Sequence, residues 1–319
     1  MKCRLPLVVL CGGLVVGWGW GSLGSQLATG SLPGERRVSV KADAGPGVRL
    51  ESPYLGHPHW CKGSTHVHTE SLPLEEMVFA YKKKGYQFVF LTDHQALTDV
   101  SKVVGLRAFS GEEISTTHGH ACALFVRTLI SKDPPTQEAI DQTHAQGGLL
   151  QLNHLSRSKV GQEVLDQLSG LWGMEVRNGK TPDDRDITLW DSQLAQGKRL
   201  WGTFTDDSHV LEQVGQGWIM VNSPDSQCGQ GAIFEGLNHG NFYMTRGPTL
   251  EISVNARTLA VSSDREGTIQ WFKERRTLLR TAHGARDSYQ VDGSEVFVRV
   301  EWTDKSGKQA FSQPIFLRR

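Results

Sequence analysis

Histidine and carboxylate residues recur at the ends of short apolar runs in this chain of 319 residues. His66 and His68 lie one residue apart in "GSTHVHTES", and the stretches "FVFLTDH", "GEEISTTHGH", "LLQLNHL" and "TDDSH" follow. Imidazole nitrogens and carboxylate oxygens around one cavity are ligands for zinc, manganese or iron. An isolated HxH pair is a weak signal, but several such pieces at successive strand ends predict a metal site.

Strand-like and helix-like segments alternate from about Trp60 to Gly217. The stretches "LPLEEMVFAYKKKG" and "PTQEAIDQTHAQGG" have helical spacing and end on glycine, whereas "YQFVFLTDH" and "LLQLNH" are apolar runs typical of strands. This alternation predicts parallel strands with helical crossovers, as in an α/β barrel or an open sheet. Working residues in such folds sit at the carboxyl ends of strands, so the histidine fragments are expected to share one edge.

A different pattern begins at Pro248. The stretches "LEISVNARTLAV" and "EVFVRVEWTDKSGKQAFSQPIFLRR" alternate apolar and polar residues, which predicts a small antiparallel β-domain. We therefore expect four regions: an N-terminal segment 1–30, a linker 31–59 rich in glycine and proline, a metal-binding α/β domain 60–247 and the β-domain 248–319.

The N-terminal segment has the order of an export signal. Lys2 and Arg4 precede an apolar run from Leu5 to Gly21, and small and polar residues follow. A cleaved signal and an uncleaved anchor both fit this order, and either predicts a protein exported to the periplasm or the extracellular space. The membrane would be a partner only through this segment.

The cysteine content limits the number of disulfides, and the net charge limits the classes of partner that the chain is expected to bind. Cys61, Cys122 and Cys228 lie outside the N-terminal segment, so at most one disulfide can form, and isolated thiols are expected. The 34 basic residues balance 34 acidic ones, so charge alone does not favour nucleic acid. A small-molecule substrate is the expected partner.

The order of these motifs resembles the PHP superfamily, the polymerase and histidinol phosphatase metal-dependent phosphoesterases. The resemblance covers about Trp60 to His209 and rests on HxH, TDH, GxEIS with a later histidine, NH after a helix closed by "GG", and DxH. The stretch "GNFYMTRGPTLEI" is also similar to the secreted CehA/McbA-type hydrolases, in which a β-domain follows. The resemblance implies a distorted (β/α)7 barrel and two or three divalent transition metals, Zn, Mn or Fe.

The resemblance also implies a role for each motif position. The implied metal ligands, in chain order, are His66, His68, His94, Glu113, His120, His154, Asp207 and His209. Glu113 bridges two metals, and it is preferred over Glu112 because it holds the family's place in "EIS". Asp207 is preferred over Asp206 because it stands two residues before the last histidine. The loop after HxH is shorter than in the family and offers Glu70 to a third metal with His94 and His209.

The implied reaction is phosphoester hydrolysis by a metal-bridging hydroxide. Arg157, Arg177 and Lys159 are candidate phosphate-binding cations near the ligands, and Asn178 follows Arg177. His94 or His209 would protonate the leaving group if a third metal is absent. Two alternatives stay open: hydrolysis of a carboxylic ester or carbamate at the same metals, and a non-catalytic binding protein.

Overall fold

Apolar runs broken by turn residues build a chain that is mostly strands. The computed structural model describes residues 47–158, 160–180 and 183–318, so the predicted signal segment 1–30 and Lys159 lie outside them. The strands, in chain order, are β1 (Arg49–Glu51), β2 (His59–Val67), β3 (Phe88–Leu91), β4 (Arg107–Thr116), β5 (Gly119–Leu124), β6 (Leu149–Leu152), β7 (Gly173–Asn178), β8 (Trp201–Thr205), β9 (Trp218–Ser223), β10 (Phe242–Thr245), β11 (Glu251–Asn255), β12 (Thr258–Lys273), β13 (Thr277–Gln290), β14 (Phe297–Asp304), β15 (Gln309–Phe311) and β16 (Ile315–Arg318).

Helices are fewer and short. They are α1 (Leu74–Lys83), α2 (Thr136–Ala145), α3 (Gln162–Gln167), α4 (Asp184–Ala195) and α5 (Gln230–Asn238), with 3-10 turns at Val100–Lys102, Leu155–Arg157, Leu211–Gln213 and Glu274–Arg276. In α1 the acidic residues lie in the first turn and the basic ones in the last, which complements the helix dipole. Within the described ranges, no helix has the length and apolar character needed to span a membrane.

The predicted alternation of strand and helix is confirmed in outline, and the fold is mixed α/β. Parallel pairing joins β2 to β3 and β3 to β4, and again β6 to β7 and β7 to β8. The expectation of parallel strands throughout is wrong for β4–β5–β6, which pair antiparallel. Only two residues separate β4 from β5, which is too short for a helical crossover. Gly119, with φ 123°, adopts the conformation that this tight turn needs.

The first and last strands of this series meet at their carboxyl ends. An isolated parallel bridge joins Val67, the last residue of β2, to Ser208, just after β8. The backbone N–H of His68 also donates to the carbonyl of Ser208 at 3.0 Å. Residues that follow β2 and β8 are thereby brought side by side.

The C-terminal strands pair antiparallel, as their period of two predicts. The long strands β12 and β13 form a hairpin, β12 also pairs with β11 and β14, and β14 pairs with β15 and β16. They join the same sheet, because β15 pairs with β10, β10 with β9, and β9 with β2. β1 lies in the stretch predicted as linker and pairs with β16.

A disulfide joins two distant parts of the core. Cys61 in β2 and Cys228 before α5 are 167 residues apart in sequence and 5.9 Å apart between Cα atoms. The expectation of isolated thiols was therefore wrong for this pair, because strand pairing of β2 with β9 brings the segment after β9 alongside β2. Cys122 is buried and free, as the odd number of cysteines requires.

Candidate metal centre

The predicted ligands converge on one edge of the sheet. His66 and His68 stand at the end of β2, His94 follows β3, and Glu113 lies in β4. A parallel bridge between His94 and Glu113 sets these two neighbours side by side. Because β5 runs antiparallel to β4, its first residues return to the same edge, where His120 lies. The remaining predicted ligands follow β6 and β8: His154, Asp207 and His209.

Glu113 occupies the centre of this cluster. Its Oε1 lies 3.2 Å from both His120 Nδ1 and His154 Nε2. Its Oε2 lies within hydrogen-bonding range of three further ring nitrogens: His94 Nε2 at 3.0 Å, His68 Nε2 at 3.2 Å and His66 Nε2 at 3.3 Å. Glu113 is only 1 % exposed, so imidazoles rather than water surround its two oxygens.

Asp207 approaches the same two HxH rings as Glu113. Its Oδ1 is 3.6 Å from His66 Nε2 and 3.5 Å from His68 Nε2. Two cations pair with it: Lys180 Nζ lies 3.2 Å from Oδ1, and Arg157 Nη1 lies 3.2 Å from Oδ2. Lys180 was not predicted from the sequence, because a single lysine in a loop after a strand carries no distinguishing signal.

Glu70, the residue that the short loop offers to a third metal, contacts His94. Both Glu70 oxygens approach His94 Nδ1, at 3.0 and 3.1 Å, and the backbone N–H of His94 also donates to Oε1. The His68 ring stacks on His94 with centroids 4.5 Å apart and lies 4.0 Å from the ring of His209. The structure therefore brings together all three residues proposed for a third metal.

Four overlapping groups of ligand atoms result, each with all its atoms within 4.8 Å of one another. We name them the Asp207 group (His66, His68, Asp207), the His154 group (His66, Glu113, His154), the His120 group (His94, Glu113, His120) and the Glu70 group (His68, Glu70, His94, His209). Every predicted metal ligand belongs to at least one group.

The donor chemistry of these groups fits divalent transition metals. Imidazole nitrogens and carboxylate oxygens are the ligands of zinc, manganese and iron sites. The Nε2 atoms of His66 and His68 face each other at 3.0 Å, so both point into one shared space. His68 Nδ1 and His154 Nδ1 are buried and have no hydrogen-bond partner among the described residues. The residues present can therefore hold metal ions.

Two of the predicted ligands have strained backbone conformations. His154 has φ 28° and Asp207 has φ 50°, both in the left-handed region that residues other than glycine rarely occupy. Each residue stands just after its strand, β6 or β8. Such conformations cost about 1–3 kcal/mol and persist where surrounding contacts enforce them, often at functional sites.

One side of the cluster is buried and the other is open. His66 and His68 are at most 1 % exposed, whereas the side chains of His94 and His120 are each 37 % exposed. A cavity of about 450 Å³ adjoins the open side, and its lining residues are Thr117, His118, Gly119, His120, His154, Arg157 and Ser158. A small substrate can therefore reach the cluster from this side.

The charges of the cluster shift several pKa values. Burial raises the pKa of Glu113, but the imidazoles around it, His66 foremost, outweigh burial and hold that pKa well below its usual range. The hydrogen bond with Glu113 raises the pKa of His94 to about 9, against the opposing effect of burial. Burial and the neighbouring His68 and Lys180 lower the pKa of His209. The two histidines proposed to act on substrate are thus shifted in opposite directions.

The sequence analysis missed two residues that contact the predicted ligands: a carboxylate, Glu175, and an amide, Asn153. Glu175 in β7 is fully buried, and its Oε1 lies 2.6 Å from His66 Nδ1. Asn153 donates from Nδ2 to Glu113 Oε1 at 2.9 Å. The available signal was a lone acidic residue inside the apolar run "GMEV", and an asparagine directly before His154.

Other candidates lie outside the cluster. Arg177 Nη2 is 2.5 Å from Asp184 Oδ1 at the start of α4, so its guanidinium pairs there. His118, two residues before His120 in sequence, is exposed and makes a 3.0 Å contact from Nδ1 to the hydroxyl of Thr136. The other described histidines join none of the four groups: His57, His59, His144, His239 and His283.

Comparison with known proteins does not assign the chain to a family. No protein-family model matches the chain, and no curated protein sequence matches it. Several solved structures align with part of it, and two of them are described below. PsfC from Pseudomonas syringae PB-5123 is 16 % identical, over 53 % of this chain and 84 % of that one, with a TM-score of 0.40. An amidohydrolase from Chromobacterium violaceum, with bound sulfate and no metal, is 12 % identical, over 46 % of this chain and 87 % of that one, with a TM-score of 0.40. Similarity at this level carries no argument, so the metal centre rests on the chain's own geometry.

Proposed function

We propose that the chain is a metal-dependent hydrolase of the PHP type that cleaves phosphoesters. One observation carries the proposal: the buried carboxylate of Glu113 places each oxygen against two or more imidazole nitrogens. A carboxylate surrounded in this way is suited to bridge two cations. The order of the ligands along the chain, from HxH to DxH, supports the PHP assignment.

The Asp207 group with Glu113 would hold one metal, and Glu113 with His120 and His154 would hold a second. The Glu70 group would hold a third. Bound divalent cations supply Lewis acidity and lower the pKa of water to near neutrality. If the Glu70 group stays free of metal, His94 keeps a proton at neutral pH, because its pKa is raised to about 9, and can donate it to a leaving oxygen.

The architecture proposed for region 60–247 is a distorted (β/α)7 barrel, followed by the β-domain 248–319. The bridge from Val67 to Ser208 supports closure, because it joins the carboxyl ends of β2 and β8. In a closed barrel the metal ligands would face one mouth, which agrees with their common edge.

Charge next to the cluster favours an anionic substrate over a neutral ester or carbamate. Arg157 lines the cavity, with its side chain 43 % exposed, and no acidic residue is among the described residues that line it. Lys180 adds a second cation at Asp207. Guanidinium and ammonium groups there can bind the non-bridging oxygens of a phosphoester and orient it.

Export remains part of the proposal. The N-terminal order of charge, apolar run and small residues supports it. The disulfide between Cys61 and Cys228 supports it too, since disulfides persist in oxidising compartments.

The test is hydrolysis of three chromogenic substrates, a phosphodiester, a phosphomonoester and a carboxylic ester, each with Mn²⁺ and with Zn²⁺. We expect phosphoester cleavage that a chelator stops and added metal restores. The double variant His66→Ala/His68→Ala should lose metal and activity, whereas His144→Ala on α2 should keep both. Cleavage of the carboxylic ester alone would favour the alternative hydrolase, and metal binding without any cleavage would favour a binding protein.

A further inference from the structure

Glu175 contacts two of the predicted ligands, His66 and His154. Its Oε1 lies 2.6 Å from the ring Nδ1 of His66, a member of both the Asp207 group and the His154 group. Its Oε2 accepts a hydrogen bond of 2.8 Å from the backbone N–H of His154, a member of the His154 group. A single side chain that is itself in none of the four groups thus touches two of them.

The Glu175 carboxylate is held firmly in this position. The Thr205 hydroxyl donates to Oε1 at 2.6 Å, and Asn178 Nδ2 donates to Oε2 at 3.1 Å. Glu175 is 0 % exposed, so water does not compete for these bonds. Donors face both oxygens, and only a carboxylate accepts at both.

This contact determines which nitrogen of His66 is free. Since Glu175 Oε1 is an acceptor, His66 Nδ1 keeps its proton, and Nε2 is the nitrogen that would supply a lone pair when a metal displaces its proton. That Nε2 faces Glu113 at 3.3 Å and Asp207 at 3.6 Å. Glu175 therefore sets both the tautomer and the direction of a ligand that two groups share.

Through Oε2, Glu175 also acts on the backbone. His154 has φ 28°, a left-handed conformation that needs support. The hydrogen bond from its N–H to Glu175 is made by the strained residue itself, and the His154 side chain then reaches Glu113 at 3.2 Å.

We propose that Glu175 is a positioning residue that orients one ligand for each of two metals, so that its loss weakens both sites together. The inference rests on the metal centre of the proposed function, but it does not depend on which bond the enzyme cleaves.

The test compares Glu175→Gln with Glu112→Gln. Glu112 is a matched control, because it is equally buried but bonds to the backbone N–H of Ile130, outside the cluster. Affinity for Zn²⁺ at each site is measured by competition with a chromophoric chelator, and the visible spectrum of bound Co²⁺ reports ligand geometry. We expect Glu175→Gln to lower the affinity of both sites about 10–100-fold and to change the spectrum, since partners behind a ligand contribute that much. Glu112→Gln should match the wild type.

Wild-type affinity at both sites in Glu175→Gln, or loss at only one, would overturn the shared positioning. A wild-type protein that binds no metal would instead overturn the proposed function. If Glu175→Gln does not fold, NMR of the zinc-loaded wild type with ¹⁵N-labelled histidine decides: a proton on His66 Nδ1 supports the inference, and a proton on Nε2 refutes it.

Discussion

At the scale of single residues, the cluster balances buried acids with imidazoles and nearby cations. Glu113 and Asp207 are almost fully buried, yet both have lowered pKa values, because the positive charge of neighbouring groups outweighs burial. A divalent cation can take over this balancing role, and protons would then leave the histidines. Metal binding and proton release should therefore be coupled.

Glu70 offers a test of the third site. Its carboxylate contacts His94 Nδ1 and lies 3.8 Å from His68 Nδ1. We expect Glu70→Gln to remove one metal per chain, because an amide is a poorer ligand than a carboxylate, and activity should recover at high metal concentration. Elemental analysis after gel filtration measures the count. An unchanged count and an unchanged rate would assign Glu70 to the loop surface.

The raised pKa of His94 predicts how pH acts at the same site. Below about pH 9 this imidazole is protonated, so a metal must displace the proton, and above that pH it need not. The affinity of the Glu70 group should therefore rise about tenfold per pH unit between about pH 7 and about pH 9, as expected for release of one proton. Titration with Zn²⁺ across this range measures the slope. The variant His94→Gln should abolish this pH dependence. A slope that survives in that variant would refute its assignment to the proton on His94.

At the scale of elements, a buried ion pair ties α4 to the C-terminal strands. Arg299 in β14 donates to both oxygens of Asp191 in α4, each at 2.7 Å, and to Glu301 at 2.6 Å. Arg299 is 0 % exposed, so its charge depends on these two partners. The α4 helix also begins at Asp184, which pairs with Arg177 in β7. The C-terminal strands therefore support a helix that packs against β7, the strand that carries Glu175.

Removal of one partner of this pair should be costly. We expect Asp191→Asn to lower the free energy of unfolding by about 3–5 kcal/mol, because it leaves a buried guanidinium undercompensated. Denaturant unfolding measures the change. The control is Glu266→Gln, whose ion pair with Lys305 at 2.8 Å is exposed, and it should have little effect. Equal effects of the two variants would show that burial of Arg299 does not matter to stability.

At the scale of the whole molecule, the disulfide and the N-terminal segment make a joint prediction. An exported chain that has lost its signal should show one free thiol when denatured without reductant, Cys122, and three after reduction. A chain that keeps the segment adds Cys3 and Cys11 to each count. Thiol titration of protein from the exported fraction distinguishes these cases. Full-length protein found only in the cytosol, with all thiols reduced, would contradict export.

The sequence by itself determined which residues would form the candidate metal cluster. The identities and order of the histidine fragments predicted a cluster, and every predicted ligand lies in it. Helices α1 and α2 and the antiparallel C-terminal strands were also predicted. These features are local: hydrophobic period, glycine stops and the type of the residue after a strand are all visible in short windows.

Only the tertiary structure decided which other side chains contact those residues. Glu175 reaches His66 across 109 positions, and Cys61 reaches Cys228 across 167. The register of β7 against β8 shifts between Glu175 and Arg177, so residues two apart in sequence no longer have equivalent neighbours. The antiparallel turn of β4 into β5 likewise returned His120 to the ligand edge. Such partners depend on strand order, register and bulges, which are set by packing over the whole sheet, and a period of two in one strand carries no information about the strand beside it.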